Sequence, residues 1–382
     1  MSIPLFSSTI KRPEMEAVLN CLVEEKVGPG EMAERLEKRT CEFFNVPYAL
    51  ALRSPALALD LALKLLALPE KAIVMLSALA PVWQYTQVLR SGFTPLVLDV
   101  DKKNALLSFE TVEAGLKAGG QVLVLHETLG NLPKFEQFLE LGIPIIEDIS
   151  QSAGAFYGDK DILEPLEALK AFTELEKAGG KNISTDSTSF ETAEEAPPKL
   201  QKAGTFGTLT ILGLEERDIL TSGGGAVLFV SEKRNVSPLK KLSSEIPSTE
   251  KLPDINAALG FVQLKNLRKN MEVRLELEKL FRRALMSTKH EPLLFLPNVI
   301  NPVYNFPVIL NRGFKEVEKY TSKKKLQIGL AFNESIIEKF GENLENCENA
   351  SSLALRTVLF PLYPMLGAKN TEMVAKVLTT LP

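Results

Sequence analysis

Five short runs that are apolar throughout alternate with amphipathic stretches in the first part of the chain. The runs are Tyr48-Ala49-Leu50-Ala51-Leu52, Ala72 to Leu76, Thr94 to Val100, Gln121 to His126 and Ile143 to Glu147. Between and before them, residues 13–26, Glu31 to Phe44, Ala56 to Leu66 and Trp83 to Arg90 carry apolar residues at helical spacing. A strand apolar on both of its faces must be covered on both, and a helix after each strand supplies that cover. The pattern therefore predicts an α/β protein with a mostly parallel sheet between two helical layers. In such sheets ligands bind at the carboxyl ends of the strands. His126, Asp148 and the turn Arg53-Ser54-Pro55 fall at such ends.

Composition narrows the partners. The 382 residues hold 44 Lys and Arg against 48 Asp and Glu, a net charge of −4, with no basic block that would follow a nucleic-acid backbone. Lys323-Lys324-Lys325 reads as a solvated helix end. Cys21, Cys41 and Cys347 are far apart and only His126 and His290 stand beside them, so neither a disulfide framework nor a metal site is expected. The opening MSIPLFSSTIKRPEME lacks the apolar core of a signal peptide, and no apolar run is long enough to span a bilayer. These readings lead to the expectation of a cytoplasmic protein without membrane contact.

The alternation stops at residue 158. Residues 158–203 contain one helical stretch, Glu164 to Lys177, and then a Ser/Thr/Glu/Pro-rich segment, Gly179 to Pro198, that reads as a loosely attached loop. A long helix is predicted from Asp254 through Arg283. Tyr304 to Leu310, Leu326 to Phe332 and Thr357 to Leu362 read as strands of a smaller α+β unit. A final helix is predicted from about Thr371 to Leu381, capped by Asn370 or Thr371. The expected division is a large domain over residues 1–260, with 158–203 as an insertion, and a small domain over 261–382.

Two segments carry a resemblance: Glu147-Asp148-Ile149-Ser150-Gln151 with the following SAGAFY, and GTFGTLTILGLEERDILTSGGGAVLFV from Gly204 to Val230. With the opening IPL, SGF-TP-LVLDVD, LHETLGNLP, INAALGFVQL and LFPLYPML, in that order, the chain resembles the DegT/DnrJ/EryC1/StrS aminotransferases. That resemblance implies the fold type I architecture of enzymes that use pyridoxal phosphate (PLP). It implies a seven-stranded large-domain sheet, a homodimer and a nucleotide-linked sugar as ligand. By the same resemblance Asp148 pairs with the ring nitrogen of PLP, Gln151 lies near the ring hydroxyl and His126 stands on the neighbouring strand end. Ser54, Pro55 and Ala56 match the phosphate-binding turn, with Arg53 as a nearby cation.

The same alignment exposes departures. Relatives form a Schiff base through a lysine between the GTFG turn and the GGA strand, whereas the only cation here is Arg217. A guanidinium stays protonated and does not take that role. Pro55 removes an N–H and Ala56 a hydroxyl from the phosphate turn. The family serine after GTFG falls at Leu212 or Gly213, and the ring-stacking aromatic is missing, with Trp83 displaced from its slot. Sequence alone therefore leads to the expectation of a pseudoenzyme without catalytic residues, with no cofactor, and with 158–203 as a partner surface. The competing reading is an active aminotransferase of a nucleotide-linked keto-sugar. It would use Asp148, Gln151 and Arg53, with a lysine from elsewhere such as Lys177 or Lys181.

Overall fold

The computed structural model describes residues 2–158, 162–177, 201–311 and 313–382. The segment Gly179 to Pro198, with Lys181, lies outside the described residues, and so does the side chain of Lys177. Seven strands build the main sheet. They are β1 (Tyr48–Leu52), β2 (Ile73–Ser77), β3 (Thr94–Leu98), β4 (Gly120–His126), β5 (Ile145–Asp148), β6 (Leu209–Gly213) and β7 (Ala226–Val230). Their spatial order is β1-β7-β6-β5-β4-β2-β3. From β6 to β3 every pairing is parallel, while β7 runs antiparallel to both β1 and β6.

The uniformly apolar strands follow from cover on both faces. Val74, Leu76, Val124 and Leu228 point into one core layer, and Met75, Leu123, Leu125 and Phe229 into the other. On the first side lies helix α2 (Pro55–Leu65), whose Ala58, Leu59 and Ala62 are fully buried. On the second lies helix α1 (Glu31–Phe44), whose Phe44 stacks on Phe229 with ring centroids 4.9 Å apart. Helix α3 (Val82–Arg90) follows β2 and brings Gln84 into the interior with no exposure.

Helix α4 (Asp254–Leu285) is 32 residues long and carries α1 and the preceding helix Arg12–Val23 on its flank. It runs through position 260, where the sequence places a division between domains. Beyond it, β8 (Glu291–Pro292), β9 (Phe306–Ile309), β10 (Gly329–Leu330) and β11 (Thr357–Phe360) form a small antiparallel sheet in the order β8-β9-β11-β10. Its strands are shorter than the apolar runs suggest. Tyr304 stands outside β9, next to Val303 at φ 55, a left-handed turn that ends the pairing.

The last helix corrects the sequence reading. It spans Ala368–Thr379 and has Gly367, not Asn370 or Thr371, at its N-cap. Gly367 sits at φ 75, so the chain turns into the helix earlier. Thr371 lies in the first turn and donates its hydroxyl back to the Gly367 carbonyl at 2.9 Å. Among the described residues no helix is long and apolar enough to cross a membrane.

Candidate cofactor site

The parallel register of β4 and β5 sets His126 directly beside Asp148 at the carboxyl end of the sheet. Asp148 has no exposure. Its Oδ1 accepts from the Ser150 backbone N–H at 3.1 Å and from the Ser150 hydroxyl. Its Oδ2 is 2.7 Å from Gln84 Nε2, which donates, and 2.8 Å from His126 Nδ1. A carboxylate offers about four lone-pair sites, and here four groups use them. Burial by itself pushes the Asp148 carboxyl up, but the imidazole of His126 and the bonds from Ser150 outweigh it, so the group lies below its ordinary value. Asp148 is thus a buried, ionised and fully engaged acceptor.

The other residues read from the sequence are not gathered around it. Gln151 accepts through Oε1 from the backbone N–H of Leu129 at 2.6 Å. It thereby holds the Thr128–Gly130 turn, in which Leu129 adopts φ 55. Ser54 is the N-cap of α2 and spends its hydroxyl on the Leu57 N–H at 3.2 Å. Pro55 has no N–H to give, which leaves that of Ala56 among the first three positions of the helix. Arg53 is exposed, and its backbone N–H donates to the Glu250 carbonyl at 3.0 Å. Gly213 admits no side chain, because a Cβ there would lie 2.4 Å from Ser150 Oγ and 2.5 Å from Asp218 Oδ2. A serine in that slot, as the resemblance would have it, collides with the group that holds Asp148.

Sequence reasoning missed Gln84 and Ser150. Ser150 had a local signal, since a serine two residues after a strand-end aspartate commonly bonds back to it. Gln84 had none, because its bond to Asp148 joins positions 64 apart in the chain. Also missed is a pair of buried acids. Glu147 on β5 accepts from the N–H groups of Phe206 (2.8 Å) and Gly207 through Oε1 and of Gly204 (2.8 Å) through Oε2. Glu127 follows β4 and accepts from the Ser152 hydroxyl. Both have no exposure. Burial and the nearness of Glu147 push the Glu127 carboxyl well up, and burial pushes that of Glu147 up to about 7 despite its three backbone bonds.

Arg217 lies apart from Asp148 as a contact partner. It is exposed, and its guanidinium sits over the Phe6 ring, 5.1 Å from the centroid. It lines a small cleft together with Arg274, Tyr304 and Tyr363. Arg274, on α4, is 8% exposed and has no carboxylate partner among the described residues. Its Nη1 donates to the carbonyls of Val303, Tyr304 and Leu362 at 2.9, 2.9 and 3.1 Å. Burial pushes its guanidinium down to about 10. Partial exposure notwithstanding, desolvation and the nearby Asp148 push the Asp218 carboxyl well up, so it adds little negative charge to this cleft.

A seven-stranded, doubly covered sheet with an ionised aspartate at the carboxyl end of its central strand defines a PLP-type transferase scaffold. Residues 8–379 match the model of the DegT/DnrJ/EryC1/StrS aminotransferase family, and the chain belongs to that family. Solved structures share the fold at low identity. Spr1654 from Streptococcus pneumoniae in its PLP form is 14% identical with a TM-score of 0.81, covering 100% of this chain and 98% of that one. PseC from Helicobacter pylori, an aminotransferase of pseudoaminic acid biosynthesis, is 15% identical with a TM-score of 0.79, covering 99% and 98%. A mutant of GDP-4-keto-6-deoxymannose-3-dehydratase (ColD) with bound GDP-perosamine is 15% identical with a TM-score of 0.77, covering 98% and 99%.

These findings correct the expectation that no cofactor belongs to the chain. The family is one of aminotransferases, and Spr1654 is solved in both PLP and pyridoxamine phosphate forms, so PLP is the expected cofactor. Tested against that cofactor, the described residues receive it only after rearrangement. Asp148 is the buried carboxylate a protonated ring nitrogen needs, but its acceptor sites are taken. The hydroxyl of Ser54 is spent on its own helix and Gly213 has no room for another.

Proposed function

We propose that this chain serves nucleotide-sugar biosynthesis as a sugar-aminotransferase homologue that binds its ligands without carrying out amino transfer. The observation that supports this most directly is Arg217. It is the only cation between Gly204 and Val230, no lysine stands in that interval, and its side chain rests on Phe6 instead of on Asp148. PLP, when bound, supplies an electron sink through its protonated ring. Of this chain's own groups, Asp148 holds the charge that ring requires, and His126 and Ser150 fix that carboxylate in place.

On this reading Arg217 and Arg274 make their cleft a seat for the phosphates of a nucleotide-linked sugar. Arg274 is buried without a counter-charge among the described residues, and an arriving anion relieves that cost. Calorimetric titration with UDP and GDP tests it. Arg217→Ala is expected to weaken the tighter of the two by about tenfold, the loss of one charge-assisted bond. Equal affinity in the two proteins removes the cleft from the proposal. Borohydride treatment of PLP-loaded protein followed by mass analysis tests the rest. The expected result is no labelled lysine. A labelled lysine, together with amino transfer from glutamate to a keto-sugar, restores the enzymatic reading.

We further propose a homodimer. Along the helix Arg12–Val23, the apolar Met15, Leu19, Leu22 and Val23 are 57%, 56%, 49% and 73% exposed. A continuous apolar stripe of this kind marks an interaction face, and a second copy is the occupant proposed. Leu19→Glu is expected to convert a dimer to a monomer in light scattering. A native protein that is monomeric at micromolar concentration refutes it.

A further inference from the structure

The carboxamide of Gln84 takes one acceptor site of Asp148, the carboxylate that the family resemblance pairs with the ring nitrogen. Its Nε2 donates to Asp148 Oδ2 at 2.7 Å, and the side chain has no exposure. Its Oε1 is buried and has no hydrogen-bond partner among the described residues. The other three donors to Asp148 are fixed more firmly. Ser150 is tied on both sides, since Gly213 N–H donates to its hydroxyl at 3.0 Å and Ile219 N–H to its carbonyl at 3.1 Å. His126 is locked by strand register at 3% exposure. Gln84 is the one donor that keeps a buried polar atom without a partner among the described residues.

We infer that Gln84 is an internal competitor for the cofactor ring: a specificity-determining residue whose carboxamide occupies the Asp148 acceptor site that a protonated pyridine requires. A carboxylate with four donors cannot accept a fifth without losing one. The donor with the orphaned atom is the one displaced. Its departure is eased because the orphaned Oε1 regains partners once it turns toward water. Gln84 thus sets how tightly PLP is held, through Asp148 and not through any contact with phosphate. The inference is independent of whether nucleotide sugars bind at the Arg217 cleft.

The test is equilibrium titration with PLP, read by its absorbance and by quenching of Trp83 fluorescence, on the full chain and on Gln84→Ala. Removing the carboxamide empties both the space and the acceptor site, and PLP is expected to bind at least tenfold tighter. Adding Asp148→Asn to Gln84→Ala is expected to abolish that gain, because the amide no longer offers the charge a protonated ring needs. A gain under twofold overturns the inference. So does a gain that survives Asp148→Asn, which would assign it to space alone. Circular dichroism and melting come first, and Gln84→Ser takes the place of Gln84→Ala if the alanine variant does not fold.

Discussion

Replacing Glu147 by alanine is expected to destabilise the fold by about 5 kcal/mol, seen as a shift of the urea midpoint. Three backbone donors, those of Gly204, Phe206 and Gly207, converge on its two carboxyl oxygens. Each bond to such a group contributes about 1.5–3 kcal/mol, and each buried N–H left without a partner costs about 1–3 kcal/mol. Part of that is offset by removing a carboxyl whose burial is itself unfavourable, as its raised value near 7 indicates. The turn has no substitute for it. Gly204 lies at φ +86, and a Cβ on Gly207 would stand 2.8 Å from the Ile145 carbonyl, so the backbone passes close against the sheet. Glu147→Gln keeps one acceptor oxygen and is expected to lose roughly half as much. A loss below about 1 kcal/mol for the alanine variant would show that the turn is held by packing instead.

This arrangement also explains how much could be read from the chain. The pairing of an Glu-Asp strand end with a distant Gly-Thr-Phe-Gly turn is a contact made by Glu147, which joins positions 57 to 60 apart. Both segments were legible as landmarks, but the bond between them was not, because periodicity reports which face is buried and not which partner lies there. The doubly covered sheet was legible for that same reason, since strands such as Ala226–Val230 are buried on both faces. The reversed direction of that strand leaves no mark on its composition, since a central antiparallel strand buries the same residues as a parallel one.

The site was legible in one residue and obscure in its neighbours. Asp148 and His126 share a strand-end register and were found together. Gln151, one position beyond Ser150, turns to the Leu129 N–H, while Ser150 serves Asp148. A side chain that follows a strand end is aimed by the loop and not by the strand's alternation, so its direction could not be taken from the pattern. Attention to Trp83 as a ring-stacking aromatic passed over Gln84, its neighbour, although Gln84 is one of two buried residues in that helix and a buried amide is the rarer event. The reading of an empty cofactor site rested on side chains lost from the phosphate turn. Family membership outweighs it, and the geometry relocates the question to the one amide that stands at Asp148.

The Glu127–Glu147 pair makes a second large effect, one that depends on pH. Both carboxyls are buried without exposure and both lie above their ordinary value, Glu147 at about 7 against 4.5. A carboxyl raised in the folded state holds a proton that the unfolded chain has released. Its stabilising contribution is complete below the unfolded value and is lost as pH rises through the folded one. For Glu147 that window runs from 4.5 to about 7 and the loss is on the order of 3 kcal/mol. Asp148 does not cancel it, because a lowered carboxyl acts on the acid side of this window. The melting temperature is therefore expected to fall between pH 5.5 and pH 8. In Glu127→Gln the repulsion is gone while an acceptor for the Ser152 hydroxyl remains. That variant is expected to show a shallower fall and to be more stable than the native protein at pH 8. Parallel curves for the two proteins would mean that repulsion between the two carboxyls plays no part, and that the acids are separately held by Ser152 and by the glycine turn.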